Sequence, residues 1–305
     1  MGRRNMDTFR FKRSINSALL NLASIIVIAI VVGPFLWVMV ASVQGENELL
    51  RKPPSYLPQS PTLDNYNYVF TGKIPTAYEV KGQLRSRISQ EARLIAPALK
   101  NSFIVAAVVT VVNLTLGAVA AYTFARLRYR GKALSYNFIL ASRLLPAMAI
   151  AIPYYIIVQT LKLLDTYWSM ILIYTALTLP FTIWFLTLYI SNIPREMEEA
   201  GLIDGCSRFG ALTRVVVPMA LPGMVAAAAF AFMTSYNEFL FARFLTQSIK
   251  SQTGPVIVAS VAGNPDASYS LISVCITLAF IPPLILALVM RRWLTQGLSA
   301  SVTYR

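Results

Sequence analysis

In a chain this apolar, chemistry has to come from the few polar side chains set inside the apolar runs. These are Asn113, Tyr122, Arg143, Gln159, Tyr236, Asn237 and Glu238. Polar and charged groups at membrane depth are costly, so they face a cavity, line a pathway or pair with one another. Four are candidates to line a solute pathway: Arg143, Tyr236, Asn237 and Glu238. Arg143 sits in the string Ser142-Arg143-Leu144-Leu145-Pro146, where it lines a cavity, pairs with a carboxylate, or reaches back along its stem to the inner headgroups. Glu238 has Arg143 and Arg243 as its obvious partners; the alternative is an interfacial acid with a structural role. Such groups recognise and orient a solute but do not make a reaction centre. The chain has no histidine, which removes the commonest base and metal ligand. Cys206 and Cys275 lack metal spacing and read as small core residues without a disulfide. Gly72-Lys73 and Gly131-Lys132 lack the rest of a GxxxxGK[ST] phosphate loop. The chain is therefore expected to hydrolyse no ATP and to hold no cofactor and no metal of its own.

The second cluster of polar residues is the segment from Pro194 to Gly223, flanked on both sides by apolar runs. Pro194 suits a helix start, where a missing N–H costs nothing. Glu196, Glu198 and Glu199 follow, near the positive end of that helix. Met197, Ala200, Gly201 and Asp204 share one face by the three-and-four spacing. Asp204-Gly205 is a turn dipeptide, and Ser207 is placed to cap a second helix. Phe209, Leu212, Thr213 and Val216 form the next stripe, which Pro218 closes. The segment reads as two short amphipathic helices joined by a tight turn. On composition alone, such a hairpin also fits a pair of helices lying on a membrane surface.

The elements that position these groups are apolar helices. The chain has 305 residues, of which 56% are hydrophobic and 13% charged. Its mean hydropathy is +0.58. A soluble domain carries about a quarter charged residues, so the chain reads as an integral membrane protein. The formal net charge of +14 raises nucleic acid as a partner. The absence of a separate basic domain argues against it, and basic residues beside spans instead fix topology. Apolar runs predict six spans: Ala18 to Val43, Pro97 to Ala125, Ala133 to Thr160, Tyr167 to Ile190, Met219 to Ala242 and Ser268 to Met290. The first run is long for a signal core and lacks a small-residue cleavage site, so it reads as an uncleaved span.

The resulting organisation is a cytoplasmic tail at 1–17, a first span at 18–43, an external loop at 44–96, a membrane core at 97–293 holding the hairpin at 194–218, and a cytoplasmic tail at 294–305. Arg126, Arg128, Arg130 and Lys132 share one short loop without an acid. That places the loop, both termini and the hairpin on the cytoplasmic side. The loop at 44–96 is also basic, but long loops cross largely regardless of charge. Within it, Leu84, Ile88 and Ala92 have the spacing of a weak amphipathic helix, against the alternative of a solvated loop. Pro146, Pro153, Pro180, Pro222, Pro282 and Pro283 are expected to kink or break their helices and open gaps where backbone lines a cavity. Tyr154, Tyr155, Trp184, Phe185 and Tyr189 lie near those prolines, as packing or interfacial rings or as stacking surfaces for a solute.

The string Glu199-Ala200-Gly201-x-x-Asp204-Gly205, with Pro218 and Pro222 downstream, resembles the EAA loop of ABC importer permeases. Ile193-Pro194-Arg195-Glu196 and Pro218-Met219-Ala220-Leu221-Pro222 resemble its carbohydrate, maltose-type branch. So do Pro61-Thr62-Leu63-Asp64-Asn65-Tyr66, Ala121-Tyr122-Thr123-Phe124-Ala125-Arg126 and Tyr236-Asn237-Glu238-Phe239-Leu240. The likeness runs from about Pro34 to Ala300. Gly201 and Cys206 stand where the family usually has alanine, and each is a small residue in place of another. Residues 73–95 look like an insertion, and Ser301 to Arg305 depart from the usual ending.

The resemblance implies an all-α, polytopic permease of the type I importer fold, with six transmembrane helices and a cytoplasmic coupling hairpin. It implies that Glu199, Ala200, Gly201, Asp204, Gly205 and Pro218 couple the chain to an ATPase. The implied partners are a second homologous permease, two ATPase subunits that bind the ATP, an extracytoplasmic solute-binding protein, a sugar substrate and the bilayer of a bacterial cytoplasmic membrane. Sugars are favoured over amino acids, peptides or ions by the strings at Tyr236 and Asp64. A membrane-embedded enzyme would need a nucleophile, base or metal cluster at depth, for which the residues are missing.

Overall fold

The computed structural model describes residues 2–53, 55–74, 89–265 and 267–299. All regular structure among them is helical. The chain divides into two compact units, Met1–Ser89 with Pro265–Thr277, and Gln90–Asn264 with Leu278–Arg305.

In the first unit, helix α1 runs from Gly2 to Ser42 and so continues through most of the segment expected to be a tail. Its stretch Leu19–Ser42 holds an 18-residue window of mean hydropathy 2.6 in which no residue is buried, and only its end, at Ala41 and Ser42, is buried by protein. A helix apolar all round is suited to lipid or to another subunit. After a single helical turn at Glu46–Leu49 comes α2, Asp64–Thr71. The buried Asn65 amide donates to the Ser42 and Gln44 carbonyls at 3.3 and 2.9 Å, tying α2 to the chain leaving α1. Buried Glu46 accepts from the amides of Tyr269 and Ser270 at 3.1 and 3.0 Å, so it caps the last long helix from far away in sequence. The expected helix through Leu84 and Ile88 lies outside the described residues; Ala92 falls in a short 3-10 turn, Gln90–Leu94.

The second unit is built on α3, Ile95–Arg126, which packs lengthwise against α6 and α9. Between α3 and α6 come α4, Lys132–Ala141, and α5, Ala147–Thr160; α6 is Tyr167–Ser191. The hairpin follows as α7, Arg195–Ile203, and α8, Arg208–Met219. Then come α9, Leu221–Tyr236, α10, Leu240–Leu245, α11, Gly254–Ala262, and α12, Tyr269–Ser299. With no hydrophobic force between helices in lipid, close approach at small residues holds them together. At Gly223 a Cβ would stand 2.5 Å from the Tyr189 ring, and at Gly117 2.6 Å from Thr182 Cγ2. One turn before the Gly117–Thr182 contact, buried Asn113 donates to Thr178 Oγ1 at 2.9 Å.

Two of the six expected spans are not straight. The run Ala133 to Thr160 is broken at a turn, Ser142–Leu144, and its halves α4 and α5 meet at 95°. Leu145 is extended there, as a residue before proline prefers, and Pro146 starts the new helix. The run Met219 to Ala242 is split as well. Its start belongs to α8, which meets α9 at 81° at Ala220, and α9 stops at Tyr236 before α10 begins. Four helices are single spans by length and hydropathy, and the two bent pairs bring the total to six. Pro153, Pro180, Pro282 and Pro283 lie inside helices, so the breaks fall at Pro146 and Pro222.

Candidate coupling site and pathway residues

The hairpin is closed by its backbone. The Cys206 amide donates to the Gly201 carbonyl at 3.0 Å, and the Gly205 amide to the Leu202 carbonyl at 3.1 Å. This pair of bonds is a Schellman motif with Gly205 at the left-handed position, φ +90°. Ser207 Oγ then accepts from the Gly210 amide at 3.1 Å and caps α8, a contact worth about 1 kcal/mol. The two limbs touch at buried Gly201, where a Cβ would stand 3.1 Å from Val215 Cγ2. Leu212–Val216 is one π-helical stretch within α8. Pro218 does not close α8, which runs on to Met219 before the bend.

The outer side of the hairpin is exposed. Glu199, Ala200, Asp204 and Gly205 all face solvent. Beside them stand Met197, Ile203 and Phe209, which are 48%, 85% and 67% exposed. Apolar side chains bared at the tip of a polar loop, with carboxylates around them, are the composition of a docking surface: anchors for a pocket, and a rim that orients them. Ile203 was not singled out from the sequence. It lies one residue before the turn, and only the closed geometry of the motif puts it at the tip.

The neighbouring carboxylate, Glu198, does the opposite. It is buried against the end of α3, where its Oε1 accepts from the Tyr122 hydroxyl. Its Oε2 stands 2.9 Å from Arg126 Nε, with the two side chains only 7% and 5% exposed. Arg126 Nη2 donates to the Ile193 carbonyl at 2.7 Å, just ahead of the hairpin. The cluster floors a cleft of about 860 Å³ lined by Arg128, Arg195, Glu199 and Leu202 among others. Arg208 of α8 lines the same cleft. A helical wheel puts Glu198 on the hairpin but cannot show that Arg126, far back in sequence, faces it.

The four pathway candidates do not converge. Arg143 lies at the break between α4 and α5, exposed, with its guanidinium carbon 5.3 and 5.9 Å from the ring centres of Phe181 and Phe230. Neither of the two possible partners named for Glu238, Arg143 or Arg243, forms an ion pair with it among the described residues. Glu238 instead accepts from the Phe241 and Ala242 amides at 3.0 and 3.2 Å, capping α10. Tyr236 is 1% exposed, stacks on Phe232 and donates to the Ala279 carbonyl at 3.2 Å, so it is a packed core residue. Asn237 is exposed at the break after α9. Among the aromatic candidates, Tyr154 donates to the Ser169 carbonyl and Tyr189 covers Gly223, both packing roles. Trp184 and Phe185 belong to the ring cluster around Phe181.

Between α5 and α6, Asp165 ties one loop to another. Its carboxylate accepts from the amides of Gln247 and Ser248 and the hydroxyls of Ser248 and Ser251. Partial burial works against its charge, but these four bonds outweigh it and hold the group at about 2.

A helical core with bent spans, built around a capped hairpin, is the architecture of a polytopic membrane protein. Residues 90–300 match the family described as the binding-protein-dependent transport system inner membrane component, and the chain belongs to that family. It is 32% identical over 267 residues to the sulfoquinovosyl glycerol transport system permease SmoH of Agrobacterium fabrum, covering 88% of this chain and 87% of that one. It is 28% identical over 284 residues to the trehalose/maltose permease MalG of Thermococcus litoralis, covering 92% and 95%. Among solved structures it resembles a chain of a bacterial ABC transporter involved in importing the acidic polysaccharide alginate. There the TM-score is 0.71 at 18% identity, over 93% of this chain and 97% of that one, a likeness of fold. The chain is thus a multi-pass component of the inner membrane.

Proposed function

We propose that this chain is one permease subunit of a bacterial ABC importer for a sugar, and that its hairpin docks on a cytoplasmic ATPase. The observation that carries the docking is the tip: Ile203 and Phe209 bared beside Glu199 and Asp204, on a turn held by Gly205. The sugar assignment is supported by the two permeases above and by the strings at Asp64 and Tyr236. The partners are a second permease, two ATPases that bind and hydrolyse the ATP, and an extracytoplasmic binding protein. Both termini and the hairpin lie in the cytoplasm. Closure of the ATPases on ATP moves the hairpin and shifts the helices between inward- and outward-open arrangements; the differential binding of partners to the two states supplies the drive.

Arg143 and Asn237 keep a place in the pathway, because each is exposed where a helix breaks and backbone can line a cavity. A guanidinium over aromatic rings offers a sugar both donors and an apolar face. The test is uptake of labelled solutes by cells lacking the chain and by the same cells complemented. Loss and recovery of sugar uptake is expected; loss confined to amino acids, peptides or ions would contradict the sugar reading.

A further inference from the structure

We infer that the buried cluster of Arg126, Glu198 and Tyr122 is the joint that passes hairpin movement into α3, and that α3 acts as a connecting rod to the far side of the membrane core. This rests on reading the hairpin as the coupling element. Three observations carry it.

The first is where the contacts fall. On α7, Glu196, Met197, Glu199, Ala200, Ile203 and Asp204 are exposed, whereas Glu198 turns inward. Its carboxylate meets Arg126 and Tyr122 of α3, and Arg126 also holds the Ile193 carbonyl where the chain enters the hairpin. The first limb of the hairpin and the residue that leads into it are therefore fastened to one helix end.

The second is the chemistry of the fastening. Packing alone needs no charge, since apolar residues of similar volume fill such a site at equal or better stability. A buried ion pair is different, because pulling it apart leaves two uncompensated charges. Movement of α7 that would separate Glu198 from Arg126 is thus resisted, and α3 follows the hairpin.

The third is the other end of the rod. Helix α3 has 32 residues, about 48 Å at 1.5 Å per residue. Near its start the Asn101 amide donates to the Ile249 and Gln252 carbonyls, both at 2.9 Å, and Ser102 Oγ accepts from the Gly254 amide at 2.9 Å. The loop between α10 and α11 is the one that Asp165 also holds. One helix is thereby fixed at one end to the hairpin and at the other to a loop on the opposite side of the core. Arg126, Glu198 and Tyr122 are positioning residues: they touch no solute and act through α3.

The experiment uses the whole importer, purified through a tag on this chain and reconstituted in liposomes, with solute transported and ATP hydrolysed measured together. Glu198→Gln keeps size and removes the charge; Arg126→Gln removes the other partner. Both are expected to retain the ATPase and its basal hydrolysis while transport per ATP falls between about five- and 150-fold, the usual span of coupling between sites. A loss of packing alone would lower the amount of complex and leave that ratio unchanged. Unchanged ratios in assembled Glu198→Gln and Arg126→Gln complexes would overturn the proposal. If either variant fails to assemble, Tyr122→Phe, which deletes one hydroxyl, decides: a lowered ratio supports the joint, and the wild-type ratio overturns it. Gly205→Val is measured alongside. If it too leaves ATPase binding and coupling intact, the hairpin reading itself has failed. If it uncouples while the cluster variants do not, only the joint has failed.

Discussion

Gly205 is the residue at which backbone geometry translates most directly into function. Its φ is +90°, and a Cβ added there would meet nothing within 4 Å. Substitution is therefore opposed by conformation alone, without a steric clash inside the chain. Alanine in the left-handed region costs about 1–2 kcal/mol, so a relaxed turn gains about five- to thirtyfold over the closed one. Valine, branched at Cβ, is disfavoured further. Asparagine tolerates positive φ and keeps the turn. Relaxation would break the Cys206–Gly201 and Gly205–Leu202 bonds and turn Ile203 away from the tip. The predicted order for ATPase retention by the purified importer, and for sugar uptake by cells, is Gly205, then Gly205→Asn, Gly205→Ala and Gly205→Val. Spans should insert in all four, as judged by equal amounts of chain in the membrane. Wild-type retention and uptake in Gly205→Ala and Gly205→Val would refute the reasoning that the closed turn is the docking form.

Gly223→Ala sets a methyl 2.5 Å from the Tyr189 ring and should destabilise the helix pair by about 1–3 kcal/mol, read as a lower thermal midpoint in detergent; an unchanged midpoint would mean that the two helices are not in close contact. Asp165 is depressed from 3.8 to about 2, so the stability it contributes is complete above the unfolded value and lost as pH falls from about 4 through 2; Asp165→Asn should remove about 1–2 kcal/mol at pH 7 and flatten that acid limb. On a background lacking Cys206 and Cys275, an impermeant thiol reagent applied to whole cells should label Ser60→Cys and not Ser207→Cys; the reverse would invert the topology. Arg143→Ala should cut sugar uptake in an assembled importer, and normal uptake with both Arg143→Lys and Arg143→Gln would remove it from the pathway.

The helices themselves were legible because composition decides where a chain can lie in lipid. The runs beginning near Pro97 and Tyr167 became α3 and α6 with small shifts at their ends, and the run from Ser268 became α12, which continues past the expected end at Met290 to Ser299, into the segment expected to be a tail. The hairpin was legible too, since a helix-starting proline, a turn dipeptide and a capping serine are local signals. The breaks were not. One arginine does not end an apolar run of this length, and a proline announces a possible kink without its angle; Pro146 marks a 95° bend whereas Pro153 sits inside a helix. For Glu238 the sequence left a pathway role and a structural one open; its two backbone bonds serve a helix start only visible once α9 and α10 are known to be separate. The Arg126–Glu198 contact joins residues from different helices, beyond the reach of any spacing rule.

The most direct measurement is photo-crosslinking from the tip of the hairpin. A photoreactive side chain in place of Ile203, and separately of Phe209, is introduced into the chain, and the assembled importer is irradiated in native membranes. Both positions are strongly exposed on this chain and stand at the tip. The account predicts an adduct of this chain with the ATPase subunit from each, and none from the same group at Ser60. Adducts with lipid alone, or none, from both tip positions in an importer that still transports would contradict it.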